Sequence, residues 1–400
     1  MLKKIILTVI ILILFTTGGC WSRREPKELA IVTSSIYETG DQERYKLTFE
    51  ILDPASFSGQ SGETNMRKFK IIIMEGNSHS EATRNASLHI GRRVYGGNNK
   101  ARFFTEKLIN NYLMETFDFL MRDHIADERP IMVMIKGDID TKMLYECDMG
   151  LSEQLGIYTE NMIRNRYESI AYTSQITSLD FMKAYYSDGI QPVMCAVEIV
   201  ENKAKLPSDE EKPPTVSKYS LNFDGLAVFK NDKVVGYLND KETRAFNIIQ
   251  NQVKRTYMEF RCGSDLKTAT NQNAKTDISI DYKNDKVTIK IDTKATLRLV
   301  QVQNKATDVT DYKEIKRVEE SLSEEIKKEV TDTIKRVQTE YKSDIFGFGQ
   351  VFHRQYPAEW RKIKDKWDDE YFANAEIIMN VESKIIGEGE IREPFGWRFR

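Results

Sequence analysis

Cysteine and histidine are scarce in this chain, with four of each among 400 residues. No C-x-x-C pair or other zinc spacing occurs, and no histidine has a metal-ligand partner at helical spacing on a convincing face. The sequence therefore predicts neither a metal site nor a cofactor. Apart from Cys20, we expect the remaining cysteines, Cys147, Cys195 and Cys262, to be buried thiols.

Recognised catalytic motifs are also absent. The chain has no G-x-S-x-G sequence, and its glycine-bearing stretch at 91–99 has neither the Lys-Ser/Thr of a phosphate-binding loop nor a dinucleotide fingerprint. The acidic runs at 209–211 and 368–370 are more typical of solvated faces than of paired catalytic acids. We predict that the protein is not an enzyme and has no catalytic residue.

An excess of charge of one sign is lacking too. The 59 lysine and arginine residues nearly balance the 61 aspartate and glutamate residues, which leaves a net charge of −2. No basic block with interleaved aromatic residues occurs, so nucleic acid is excluded as an expected partner.

The apolar run at the start of the chain is too short to cross a membrane. It extends from Ile5 to Phe15, whereas a transmembrane helix needs about 20 residues. Lys3 and Lys4 precede the run, and small residues lead from it to Cys20, as in a secretory signal. We predict a signal peptide over 1–19 and a diacylglycerol on Cys20, which would anchor the chain to a membrane. Ordinary cleavage without a lipid and a buried core helix are the alternatives.

Proline is rare as well, and three of the nine prolines fall within residues 203–218. This stretch is highly charged and has little apolar surface to bury, which predicts a linker. We therefore expect an N-terminal region over 20–202 and a C-terminal region over 219–400. Strand-like and helix-like patterns alternate in both regions, so the predicted fold is α/β with mixed sheets packed against helices.

The clearest helical pattern covers residues 312–342. Its apolar positions recur about every 3.7 residues, closer to the α-helical period than to the coiled-coil period of 3.5. We expect a long straight helix packed on a sheet, with a solitary coiled-coil arm as the alternative.

Aromatic residues are concentrated near position 350. Phe346, Phe348 and Trp360 belong to this cluster, for which two interpretations are open. The cluster could cap the core of the C-terminal region, or these three side chains could contact a partner, because aromatic anchors dominate protein interfaces.

A series of short motifs runs through the chain in a fixed order. They are Cys20-Trp-Ser-Arg-Arg-Glu-Pro, Glu81-Ala-Thr-Arg-Asn-Ala-Ser, Gly91-Arg-Arg, Asn99-Lys, Asp118-Phe-Leu-Met-Arg-Asp, Gly225-Leu-Ala-Val-Phe-Lys-Asn-Asp-Lys, Glu242-Thr-Arg and Asp344-Ile-Phe-Gly-Phe-Gly with Trp360. In this order the chain resembles the Ger(x)C family of spore germination proteins, the lipoprotein C subunits of nutrient germinant receptors.

The resemblance implies a three-domain α/β subunit on the outer face of the spore's inner membrane. It also implies multi-pass A and integral-membrane B subunits as partners, and among functional residues it transfers only the lipid-bearing Cys20. We expect no tight binding of a small molecule to the isolated protein. The alternatives are a ligand-binding lipoprotein of a transport system and an extracytoplasmic enzyme acting on wall polymer.

Overall fold

The computed structural model describes residues 1, 25, 28–52, 69–122, 127–152, 154–202, 217–253, 256–263, 265–302 and 311–387. Cys20, the rest of the predicted signal peptide after Met1, and residues 203–216 of the predicted linker lie outside the described residues.

Strands and helices alternate in the first half of the chain. In order they are β1 (Leu29–Thr39), β2 (Tyr45–Leu52), β3 (Phe69–Gly76), α1 (His79–Ile90), β4 (Arg93–Tyr95), β5 (Ala101–Thr105), α2 (Glu106–Arg122), β6 (Ile131–Ile135), a 3₁₀ turn (Thr141–Tyr145), α3 (Leu155–Ile170), α4 (Ser178–Tyr186) and β7 (Val193–Glu201).

The second half has longer strands and a longer helix. In order its elements are β8 (Tyr219–Asn222), β9 (Leu226–Lys230), β10 (Lys233–Leu238), α5 (Asp240–Ile249), β11 (Thr256–Cys262), β12 (Asp265–Lys283), β13 (Lys286–Val302), α6 (Tyr312–Arg336), a π turn (Val337–Tyr341), α7 (Phe348–Gln355), α8 (Pro357–Ile363), a 3₁₀ turn (Lys364–Lys366), a π turn (Trp367–Phe372) and β14 (Glu376–Gly387).

The larger sheet has ten strands, with the main order β10-β9-β7-β6-β5-β1-β2-β3 and with β4 beside β1 and β8 beside β7. Its centre is parallel, from β1 through β5 and β6 to β7. All five residues of β6 are apolar and buried, as expected for a parallel strand with both faces covered. The mixture of parallel and antiparallel pairs confirms the predicted α/β class.

Residues 203–218 do not separate the two sheets. Glu201 of β7 is paired with Tyr219 of β8, and the Asn202 N–H donates to the Lys218 carbonyl at 2.8 Å. The stretch therefore joins neighbouring antiparallel strands of one sheet, and the chain leaves that sheet only after β10. Charge and proline predicted an exposed connection, but composition carries no information about which strands pair across it.

The smaller sheet has the order β11-β12-β13-β14, and α6 packs on it. The buried side chains of α6 recur at helical spacing: Val318, Leu322, Ile326, Val330 and Ile334. With the π turn that follows, this helical segment extends to Tyr341, which confirms the predicted long helix packed on a sheet.

A buried carboxylate fixes α3 against β1. Glu50 accepts hydrogen bonds from the N–H groups of Leu155 and Gly156 at 2.7 and 3.1 Å, and from the Thr33 hydroxyl at 2.6 Å. Burial raises the pKa of Glu50, and these donors oppose that shift. A Cβ on Gly156 would lie 2.0 Å from the Thr33 carbonyl oxygen, so only glycine permits this approach of helix to strand.

Candidate functional site at the junction of the two sheets

The three aromatic residues proposed as partner contacts lie in the interior. Phe346, Phe348 and Trp360 are 3%, 0% and 2% exposed. The ring centroids of Phe346 and Phe348 are 5.3 Å apart, and those of Trp360 and Trp367 are 5.4 Å apart. This burial corrects the partner-contact interpretation and supports the core interpretation. An aromatic cluster shows that large apolar surfaces will be buried, but not whether the fold or a partner buries them.

Asp344 lies at the centre of this cluster and is completely buried. Its Oδ1 accepts from the N–H groups of Phe346, Gly347 and Phe348 at 3.1, 2.9 and 3.2 Å. Its Oδ2 accepts from the Gly349 N–H at 2.7 Å and from the indole Nε1 of Trp367 at 2.9 Å.

This arrangement satisfies the otherwise unpaired N–H groups at the start of α7. Sequence reasoning assigned no role to Asp344. The signal available in the sequence was an aspartate a few residues before the start of a helix, where its side chain can accept from the first N–H groups.

Burial raises the pKa of Asp344 to about 7, and the neighbouring Asp368 acts in the same direction. The N–H donors oppose this shift because they stabilise the charged form. Above this pH the ionised carboxylate can accept all five hydrogen bonds. Asp344 is therefore suited to hold backbone in place rather than to exchange protons with a substrate.

The same residue is tied to the larger sheet. The Gln191 N–H, just before β7, donates to the Asp344 carbonyl at 2.8 Å, and the Gln191 side chain donates to Asp368 at 2.7 Å. The Gln191 side-chain oxygen also accepts from the Asn231 N–H, in the turn between β9 and β10, at 2.9 Å. These bonds connect the segment after α6 with the start of β7 and with the turn between β9 and β10, both in the larger sheet.

Two glycines make this approach sterically possible. A Cβ on Gly349 would lie 2.6 Å from the Gly189 Cα, and one on Gly189 would lie 2.5 Å from the Gly349 carbonyl carbon. Both neighbours are backbone, which cannot rotate away as a side chain can. Gly189 also has φ of +78°, a value that favours glycine.

A polar cleft of about 440 Å³ opens beside this junction. Its charged lining comprises Asp188, Lys230, Lys364, Asp365, Asp368 and Asp369. Lys230 pairs with Asp369 at 2.6 Å, and Lys364 lies 3.9 Å from Asp188. Across the part of the chain that the structure describes, no group of three or more His, Cys, Asp or Glu residues could hold a metal ion.

A second set of buried charges joins α5 to α6. Arg244 contacts Glu329 through two hydrogen bonds, at 2.8 and 2.5 Å, and both side chains are less than one-tenth exposed. Two residues earlier on the same helix, Glu242 pairs with Arg336 at 2.6 Å. The Glu242-Thr-Arg motif thus supplies one partner to each of two ion pairs with the long helix.

His79 is buried beside a groove with a volume of about 730 Å³. Its ring stacks on Phe119 with centroids 5.3 Å apart, and its Nε2 lies 3.3 Å from the Thr116 hydroxyl. Burial lowers the pKa of His79 to about 4, with a further contribution from Arg44. The histidine is therefore neutral at physiological pH and packs as part of the core.

Two family models match the chain on either side of residues 203–218. The model for the spore germination protein N-terminal domain matches residues 22–199, and the model described as spore germination B3/GerAC like, C-terminal, matches residues 224–389. The gap between them contains the predicted linker.

Individual relatives are similar over nearly the full length. Spore germination protein KC of Bacillus subtilis (strain 168) is 26% identical over all of both chains. Spore germination protein B3 of the same organism is 22% identical over 96% of this chain and 98% of its own. The crystal structure of the GerBC protein superposes with a TM-score of 0.52 and 20% identity, covering 88% of this chain and 96% of that one. This last similarity shows a shared fold.

Proposed function

Because this chain belongs to the Ger(x)C family of spore germination proteins, we propose that it is the lipid-anchored C subunit of a nutrient germinant receptor. Its role lies in spore germination. In this proposal the protein has no enzymatic activity, Cys20 carries a diacylglycerol, and the folded body lies on the outer face of the spore's inner membrane. The multi-pass A subunit and the integral-membrane B subunit are its partners there.

The internal contacts made by the motif residues support a structural role for the protein. Asp344, Glu242 and Arg244 are each engaged in internal contacts that hold helices to the two sheets. Their polar groups are directed at neighbouring backbone and at opposite charges. A catalytic set would instead present a nucleophile or a proton-transfer group to a cavity.

In this proposal the anchor acts by keeping the folded protein close to the membrane subunits. A diacylglycerol supplies two acyl chains, which anchor a protein stably where a single chain would bind only marginally. A protein held beside membrane subunits has a high effective concentration toward them without strong contacts. None of the described helices is long and apolar enough to cross a membrane.

Replacing Cys20 with alanine tests the proposal directly. We expect Cys20→Ala to lose incorporation of a radiolabelled fatty acid and to slow germination in response to a nutrient, while germination triggered without nutrients stays normal. Cys262→Ala is the matched control, because Cys262 is a buried thiol within β11 and should retain the label. Equal labelling of Cys20→Ala and the parent would contradict the anchor.

Receptor membership is tested separately by deleting the gene in a strain without a paralogue. We expect a slower response to one class of nutrient. A normal nutrient response in that strain would contradict the receptor role. Titration calorimetry with candidate nutrients distinguishes the ligand-binding alternative, since the subunit proposal expects no tight binding to the isolated protein.

A further inference from the structure

An exposed surface at the end of α1 combines apolar and basic side chains. We call it the α1-end surface and define it as Leu88, His89, Arg92, Arg93 and Tyr95. All five are exposed, and Leu88 and Tyr95 are exposed by 75% and 38%. Apolar and aromatic side chains accompanied by arginines are the combination found where proteins lie in a membrane interface.

The α1-end surface lies next to the point where the chain enters the fold. Arg93 and Tyr95 of β4 are in register with Leu29 and Ile31 of β1, the first strand after the predicted anchor. Leu29 is nine positions after Cys20, and nine residues reach at most about 30 Å. The proposed lipid therefore keeps this surface within about 30 Å of the bilayer.

The surface is positively charged over a continuous stretch of sequence. No acidic residue occurs between Glu81 and Lys100, whereas Arg84, Arg92 and Arg93 fall within that interval. Neither Arg92 nor Arg93 forms an ion pair with another residue that the structure describes. Arg84 pairs only loosely with Glu81, at 3.7 Å on the exposed helix face.

The adjoining groove does not cancel this charge. Arg84 and Arg93 both line it, together with Arg44 and Arg122. Its two acidic residues are already engaged, because Glu115 pairs with Arg44 at 3.0 Å and Asp118 pairs with Arg122 at 2.7 Å.

The backbone that carries the surface is fixed. Gly91 ends α1 in the left-handed conformation, with φ of +68°, and its N–H donates to the Ser87 carbonyl at 3.0 Å. The Ser87 hydroxyl then accepts from the Val94 N–H at 3.1 Å, and β4 pairs with β1. Arg93 and Tyr95 alternate with the buried Val94, so they project from the same face of the strand.

We propose that the α1-end surface lies against the membrane and binds the head groups of anionic phospholipids. Arg92 and Arg93 contact lipid phosphates, while Leu88 and the ring of Tyr95 enter the interfacial layer, where apolar and aromatic side chains are favourable. The inference rests on the proposed anchor at Cys20 for its geometry. It adds an orientation, because one face of the body is then turned toward the bilayer.

Vesicle binding tests the surface independently of the anchor. The mature chain with Cys20→Ser carries no lipid, so its co-sedimentation with vesicles reports on the protein surface alone. We expect binding to vesicles of phosphatidylcholine and phosphatidylglycerol to exceed binding to phosphatidylcholine alone and to fall with added salt. An arginine near an anionic surface strengthens binding about fivefold, so R92Q/R93Q should weaken it about 25-fold.

K283Q/K286Q is the matched control, since it removes two positive charges from the exposed turn between β12 and β13. It should bind like the parent. Leu88→Asn should weaken binding by a smaller factor that salt does not alter. Circular dichroism checks that every variant remains folded.

Three results would overturn the inference. One is equal binding of the parent to neutral and anionic vesicles, and another is an equal loss of binding in R92Q/R93Q and K283Q/K286Q. A germination defect of R92Q/R93Q without any vesicle binding by the parent would also overturn it and would assign the surface to a protein partner. Failure of the anchor itself appears only in the Cys20 labelling experiment, so the two proposals fail separately.

Discussion

Replacing Asp344 with alanine would remove the acceptor for five buried hydrogen bonds at once. Four of the donors are consecutive backbone N–H groups at the start of α7, and the fifth is the indole of Trp367. Because Asp344 is completely buried, bulk water cannot reach these donors without a local rearrangement.

The loss of stability can be worked from this geometry. A buried donor left without a partner costs about 1–3 kcal/mol. If water from the neighbouring cleft satisfies three of the five donors, the remaining two cost about 2–6 kcal/mol. That is a large part of the 5–15 kcal/mol or so that stabilises a typical fold. Asp344→Asn retains one oxygen in the place of Oδ1 and loses Oδ2 with the two hydrogen bonds that it accepts, so it should be destabilised less than Asp344→Ala.

Urea unfolding followed by far-ultraviolet circular dichroism measures these differences. The measurement is made at a pH above the pKa of Asp344, which burial raises to about 7, so that the carboxylate is ionised in the parent protein. Asp365→Ala is the matched control, because Asp365 is exposed on the same segment and should change the unfolding free energy by less than about 0.5 kcal/mol. A loss below about 1 kcal/mol for Asp344→Ala would refute the reasoning, since it would mean that the five donors find other partners at little cost.

Two further predictions concern buried ionisable groups. Burial lowers the pKa of His79 to about 4, so the folded protein binds a proton at His79 less readily than the unfolded chain does. The stability contributed by the neutral imidazole is therefore present above about pH 6.5 and is lost as the pH falls toward 4. The parent should therefore lose up to about 3 kcal/mol relative to His79→Phe over that window, and parallel pH profiles in urea unfolding would contradict this. Arg244→Ala should cost about 3–5 kcal/mol in thermal unfolding because it leaves Glu329 buried without its cation. Lys290→Ala, which breaks an exposed pair with Asp281, should leave the midpoint near that of the parent, and similar shifts for both variants would count against the burial argument.

Periodicity predicted the elements whose burial follows from their own sequence. The stripe along α6 repeats at helical spacing, so this helix was identified without knowledge of its neighbours. The turn between β12 and β13 is equally local, because Asn284 and Asp285 accept the positive φ values of 51° and 62° that the hairpin requires.

The junction could not be predicted in the same way, because its contacts join distant parts of the chain. Asp344 contacts Gln191 and Trp367, which are distant from it in the sequence and meet it only in the folded structure. β9 joins the larger sheet by pairing with β7, and β10 by pairing with β9, across a connection whose charge and proline content predicted only a linker. For the same reason the aromatic residues near Asp344 could not be assigned to core or interface from their clustering alone.

The pairing of β9 with β7 has a consequence for how this architecture can evolve. A recombination point within residues 203–218 looks convenient in the sequence, yet it would combine Val193–Cys195 of one parent with Leu226–Val228 of another. A product ending at residue 202 would leave that edge of β7 open to pair with a neighbouring copy and aggregate. We therefore expect exchange between relatives to preserve matched pairs of β7 and β9 rather than to shuffle whole halves as modules.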